Sequence, residues 1–148
     1  MAATGRPEPF LLLARRESKV SSRAPAECAI LIVEDDAAIR RLVRMVLERI
    51  GYKVEIACDG LEAVLKLGLV DFDVIILDLM MPNLDGFVFM NTLEQNEPER
   101  LRRIIVTSAA SPAIVKERLT GRPFRLLTKP FDIHELASAV RACIDAQQ

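Results

Sequence analysis

At 148 residues, 51% of them apolar, the chain is long enough for one domain with a real core, which excludes wholesale disorder. A formal net charge of −1 leaves no basic footprint for nucleic acid, and no apolar run approaches the ~20 residues of a membrane span. Cys28, Cys58 and Cys143 are odd in number and widely spaced, which suits free thiols in a reducing cytoplasm better than a metal site.

Residues 1–27 carry Pro7, Pro9, Pro25 and several Ser and Arg without sustained periodicity, and are expected to form a flexible extension. Its Phe10–Leu13 patch is too brief for a signal-peptide core, with Arg15 and Arg16 on the wrong side of it, but it can dock on a partner or on the domain. The folded domain is expected over 28–148. It begins with the all-apolar strand Cys28–Val33, which runs into Glu34-Asp35-Asp36. Ile39, Leu42, Val43, Val46, Leu47 and Ile50 then recur at helical spacing, and Gly51 ends that helix. Val54-Glu55-Ile56 alternates like a half-exposed edge strand. Asp59 and Glu62 predict a capping box for a short helix through Leu67.

Val74–Leu77 is a four-residue apolar run ending in Asp78. Continuous apolarity marks a central parallel strand, covered on both faces. Pro82, Asn83, Asp85 and Gly86 then signal a turn, with Asp85 placed to cap a helix that buries Phe87, Met90 and Leu93. Ile104–Val106 predicts a fourth strand leading to Ser108. Ser111-Pro112 starts a helix that Gly121 is expected to close. Phe124–Leu127 predicts a fifth strand running into Thr128-Lys129-Pro130. Asp132 and Glu135 predict a second capping box, for a last helix burying Ile133, Leu136, Val140, Cys143 and Ile144. Five strands alternating with five helices make an α/β, doubly wound parallel sheet, because each parallel crossover requires a helix.

In such a sheet the carboxyl ends of the strands share one edge, where ligands bind. That edge receives Glu34 and Asp35, Asp78, Ser108 and Lys129 from four different strands. Two carboxylates ~4 Å apart repel by about 4 kcal/mol at an effective dielectric of ~20, so three of them call for a cation. Oxygen ligation by few protein groups suits Mg²⁺ sharing its sphere with a phosphate. With Lys129 as a second positive charge and Ser108 as a hydroxyl donor, the pocket is suited to a phosphoryl group on or beside a carboxylate.

At these residues the chain resembles the receiver domain of two-component response regulators. The matching pieces are Ile30–Asp36, Ile75–Pro82 with Asp85-Gly86, Val106–Ala109 and Thr128–Phe131, within a resemblance covering 28 to about 146. It implies a flavodoxin-like sheet of strand order 2-1-3-4-5. It implies Asp78 as the phosphoacceptor, charged by a histidine kinase or histidine phosphotransfer protein and relaying the signal to a downstream effector. It also implies Mg²⁺ bound by Glu34, Asp35, Asp78 and the Met80 carbonyl, with Ser108 and Lys129 on the phosphoryl oxygens and a cis Lys129–Pro130 bond. The kinase would dock near Ala37, Ala38 and Arg41, and the output surface would include Lys116 and Glu117. A cytoplasmic monomer, or a dimer formed on phosphorylation, without direct contact to nucleic acid or membrane, completes the expectation.

One position departs from the family pattern: Leu126 stands where a Tyr or Phe is usual. Phe124 shares its face only if that strand is regular. Arg122-Pro123 likewise lacks the usual small acidic turn. Rival chemistries fit less well. A strand-end aspartate phosphohydrolase would need a second Asp where Met80 stands, and a nucleotide-binding domain would need a Gly-rich turn after the first strand. A scaffold without phosphorylation would have no use for all five polar residues. His134 reads as an exposed residue of the last helix's first turn.

Overall fold

The computed structural model describes residues 23–82 and 84–148. Five strands form one sheet: β1 Ala29–Val33, β2 Lys53–Ala57, β3 Val74–Asp78, β4 Ile104–Ser108 and β5 Arg125–Thr128. They lie in the order β2-β1-β3-β4-β5, and every neighbouring pair is parallel. The connecting helices are α1 Ala37–Ile50, α2 Gly60–Leu69, α3 Gly86–Asn96, α4 Pro112–Arg118 and α5 Ile133–Asp145. The expected doubly wound sheet and its strand order are both present.

The uninterrupted apolar strands follow from cover on both faces. Ile30, Ile32, Val74, Ile76 and Ile105 pack with Val43 and Leu47 of α1 and with Leu136, Val140 and Cys143 of α5. The alternate residues Leu31, Val33, Ile75, Leu77, Ile104 and Val106 meet Ala63, Phe87, Met90 and Val115 on the other face. Truncating any of these central aliphatics to Ala would cost about 2–5 kcal/mol.

Short polar side chains start the helices, as expected. Asp36 accepts from the N–H groups of Ala38 and Ile39, and Asp85 from those of Phe87 and Val88. Ser111 caps α4 through the Ile114 N–H, with Pro112 behind it. Asp59 accepts from the Glu62 N–H at 2.8 Å, while the Glu62 carboxylate returns to the Cys58 N–H at 2.9 Å, one residue before the cap. The second box is only half formed. Asp132 turns to the nearer His134 N–H at 2.7 Å, and among the described residues Glu135 makes no return bond. Gly51, at φ 116°, closes α1 in the left-handed conformation open to glycine.

Other expectations need correcting. Gly121 does not close α4, which ends at Arg118 with Leu119 already extended. Its lack of a side chain serves packing instead, since a Cβ there would lie 2.6 Å from Leu101. The buried stripe of α1 is narrower than its apolar pattern, with Leu42 and Ile50 exposed, and Ile133 is only half-buried. Helix α2 runs two residues past the expected end at Leu67. The helix buries Gly60 and Ala63 and presents Leu61, Val64, Leu65 and Leu69 to solvent.

Most of the expected extension, residues 1–22 with the Phe10–Leu13 patch, lies outside the described residues. Its end does not: Pro25–Glu27 form a 3-10 turn, and the Arg23 guanidinium pairs with Asp73. Asp73 also accepts from the Ala29 N–H at 2.8 Å, so it ties this turn to the start of β1.

Candidate phosphoacceptor site

Each polar residue at the sheet edge is positioned by backbone bonds that the strands themselves supply. Glu34 follows β1 and donates its N–H to Ala57 of β2 at 3.1 Å. Its carbonyl and that of Asp35 accept from the Arg40 guanidinium, at 3.0 and 3.2 Å. Asp78 is the last residue of β3, and the Leu79 N–H beyond it reaches Thr107 of β4 at 3.1 Å. The loop after Asp78 is pinched: Met80–Met81 pair antiparallel with Leu84–Asp85, and Gly86 donates to the Leu79 carbonyl at 3.2 Å. A Cβ on Gly86 would fall 2.5 Å from the Leu79 Cα, so only glycine allows that approach. Lys129 follows β5, held by its N–H to the Ser108 carbonyl at 2.8 Å, and its bond to Pro130 is cis.

Three side chains meet directly. Lys129 Nζ donates to Glu34 Oε1 and Oε2 at 2.9 and 3.2 Å and to Asp78 Oδ2 at 3.1 Å. Asp78 Oδ1 accepts from the Met80 N–H at 3.1 Å. Glu34 and Asp78 are 3% and 4% exposed, so this is a buried cluster with one cation between two carboxylates. Asp35, exposed, completes the acidic set: one carboxylate oxygen from each of Glu34, Asp35 and Asp78 lies within 4.8 Å of the others. Ser108 is fully buried at the end of β4, and its hydroxyl accepts from the Ala110 N–H at 3.1 Å. Its direct link to Lys129 is through backbone rather than side chains.

Burial, reinforced by the charge of Asp78, pushes the Glu34 carboxyl up to about 7 against the opposing pull of Lys129. Burial alone would lower Lys129, but the two carboxylates outweigh it and hold the ammonium charged. One lysine therefore leaves the three acids under-compensated. The donors are all carboxylate oxygens, with no sulfur or imidazole among them, and that chemistry fits a small hard divalent cation.

The sequence reading missed Arg40, whose signal is weak: it lies on the polar face of α1, one turn after the cap Asp36. Phe124 does not stand in for the missing aromatic. It lies before β5 and packs on the α1/α5 side, whereas Leu126 packs on the opposite side, so among the described residues Phe124 does not take that place. A surface depression of about 1010 Å³ lies at the other end of the sheet, among Asp71, Arg100, Arg103 and Arg122. It contains none of the clustered residues.

A sheet of this order, with an acid pair after β1, an aspartate ending β3 and a lysine after β5, has a match. The family model for the response regulator receiver domain covers residues 30–141. The chain belongs to the response regulator receiver domain family.

Among curated receiver proteins, the chain is 36% identical to the DNA-binding dual master transcriptional regulator RpaA of Synechocystis, over 78% of this chain and 48% of that protein. It is 30% identical to protein PilG of Pseudomonas aeruginosa, over 76% of this chain and 84% of that one. This receiver chain spans about half the length of several of the regulators it matches. Among solved structures, a Francisella response regulator receiver domain superposes with a TM-score of 0.72 at 30% identity, covering 82% of this chain and 99% of that one. A Thermotoga maritima response regulator solved with Mg²⁺ and beryllofluoride gives a TM-score of 0.64 at 26% identity, over 78% and 98% of the two chains.

Proposed function

We propose that this receiver domain takes a phosphoryl group from the histidine of a kinase or histidine phosphotransfer protein onto Asp78, and passes the signal to a protein effector by a change of conformation. The observation that carries the reading is Lys129 bridging the buried carboxylates of Glu34 and Asp78. An Asp78 oxygen attacks phosphorus, the phosphorus–nitrogen bond to the donor histidine breaks, and the electron pair stays on the imidazole. The lysine ammonium stands 3.1 Å from the acceptor carboxylate, positioned to follow an oxygen of the incoming group. Ser108, at the end of the neighbouring strand, is the second candidate to bind such an oxygen, after turning its hydroxyl away from Ala110.

Glu34, Asp35 and Asp78, with the Met80 carbonyl, are the groups that would hold Mg²⁺. When bound, the ion supplies charge neutralisation for the phosphoryl oxygens. Met80 in the position of a second acid leaves no proton carrier for repeated hydrolysis of exogenous phosphate esters, so the chain acts as a phosphoacceptor rather than a multiple-turnover enzyme. Among the described residues no helix is long and apolar enough to cross a membrane, in keeping with a cytoplasmic role. RpaA is named as DNA-binding, but the match covers under half of it, and the −1 net charge here favours a protein partner over direct nucleic-acid contact.

The test is intact mass after incubation with Mg²⁺ and acetyl phosphate. Wild type gains one phosphoryl group, lost on treatment with base. Asp78→Asn, which keeps the shape of the side chain and removes the nucleophile, gains none while retaining its circular dichroism. An undiminished mass gain in the Asn variant would overturn the assignment.

A further inference from the structure

Helix α2 is more apolar outside than inside. It seats on the sheet through the small residues Gly60 and Ala63, with Leu67 half-buried against the core, and turns its other four large aliphatics outward. Leu61, Val64, Leu65 and Leu69 are 73%, 54%, 60% and 85% exposed, and they recur at the spacing of a single helix face. Isolated exposed aliphatics need no explanation, but a contiguous stripe of four does.

Size and tether decide what covers it. A ten-residue helix offers a strip ~15 Å long, too small for the ~1,200 Å² that a stable interface between free partners buries. A tethered occupant needs far less, because its effective concentration is in the millimolar range. The chain carries one: Phe10-Leu11-Leu12-Leu13, in the segment preceding Arg23. Arg23 is fixed by its ion pair to Asp73, and Asp73 lies four residues beyond Leu69, at most ~14 Å along the chain. The ten residues from Leu13 to Arg23 span up to ~35 Å, enough to reach Leu69 and Leu65 at the near end of α2.

Charge selects between the two exposed helix faces. Residues 1–22 hold four cations, Arg6, Arg15, Arg16 and Lys19, against two acids, Glu8 and Glu17. The outer face of α1, with exposed Leu42 and Met45, is set among Arg41, Arg44 and Arg49 with one acid, Glu48, which pairs with Arg44, so it keeps a net positive charge and would repel such a segment. Around α2, Glu62 is offset by Lys66 and Glu55 by Lys53 of the same strand, and the exposed Asp59 leaves the balance acidic rather than basic. We propose that Phe10–Leu13 dock on the outer face of α2, so that the amino-terminal segment covers its own domain.

Limited trypsin digestion of the full chain tests this, with cleavage after Arg15 and Arg16 followed by mass spectrometry. Cleavage tracks the open population of the segment. Leu65→Glu and Leu69→Gln, both at exposed sites, are expected to raise the rate at least about fivefold without raising cleavage inside the domain. Met45→Glu on α1 is expected to leave it unchanged, and the wild-type rate should not depend on protein concentration. Wild-type rates in both α2 variants would overturn the proposal. So would acceleration by Met45→Glu, which would put the segment on α1, or protection that grows with concentration, which would make a second copy the cover.

Discussion

Lys129→Met gives the sharpest test of the charge balance at the site. The ammonium is the only cation within 3.2 Å of either buried carboxylate among the described residues, and methionine keeps the length of the side chain without the charge. Two carboxylate oxygens within 4.8 Å of each other repel by at least about 3.5 kcal/mol at an effective dielectric of ~20. Burial first, and this repulsion second, raise the Glu34 carboxyl from 4.5 to about 7 against the pull of Lys129. In the wild type the folded chain therefore keeps a proton that the unfolded chain releases between pH 4.5 and 7. That contribution to stability is complete below the unfolded value and is lost as pH rises through about 7. Without the ammonium the Glu34 carboxyl moves further up. At pH 8 in EDTA the variant should lose about 3–5 kcal/mol, the usual cost of breaking a buried pair from one side. At pH 5, where Glu34 is protonated in both proteins, the deficit should shrink to about 1–2 kcal/mol, the scale of ordinary hydrogen bonds. Urea titrations at the two pH values, with unchanged m-values, measure it. A variant as stable as wild type at pH 8, or equally destabilised at both pH values, would refute the reasoning.

Three further outcomes are expected. Asp35→Asn should raise the metal-free Tm by a few degrees and weaken Mg²⁺ binding, while millimolar Mg²⁺ raises the wild-type Tm by mass action; melting curves in EDTA and in Mg²⁺ decide both, and a wild-type curve indifferent to Mg²⁺ would discard the metal site. Phosphate on Asp78 should be long-lived, because Met80 and Ala110, the residues two beyond Asp78 and Ser108, orient no water; Met80 is 57% exposed and covers the approach only in part, so both Met80→Asn and Ala110→Glu should speed the decay of label, and unchanged decay in both would sink the argument. Gly86→Ala would force a Cβ against the Leu79 backbone and should cost about 1–3 kcal/mol in urea unfolding while slowing phosphate uptake, since the displaced loop carries Met80; an unaltered midpoint would show that the contact relaxes freely.

Much of this was legible in the residues because strand, cap and site signals are local. The short, β-branched run Val74–Leu77 pointed to a doubly covered strand, and Asp36, Asp85 and Ser111 each reach an N–H within three residues. The convergence of Glu34, Asp78 and Lys129 was legible because parallel strands leave one edge for all their carboxyl ends. What failed was less local. The cap of α2 is a local signal, but only the tertiary packing reveals that Gly60, Ala63 and Leu67 seat the helix and leave Leu61, Leu65 and Leu69 outside. Gly121 looks like a helix stop until its closeness to Leu101, twenty residues away, is known. Asp73 reads as a loop acid, yet it anchors Arg23 and Ala29 from fifty and forty-four residues off.

The contact between Lys129 and Glu34 joins residues 95 positions apart, one following the first strand and the other the last. No contiguous half of the chain contains both, and Asp78 lies between them. On the proposed function, uptake of phosphate would thus also report on the integrity of the fold: a molecule whose β5–α5 end has come loose has lost Lys129 before it has lost Asp78. Damaged or incompletely made copies would be silent in signalling rather than partly active, and a population titrated with acetyl phosphate would divide into competent and inert molecules with few between.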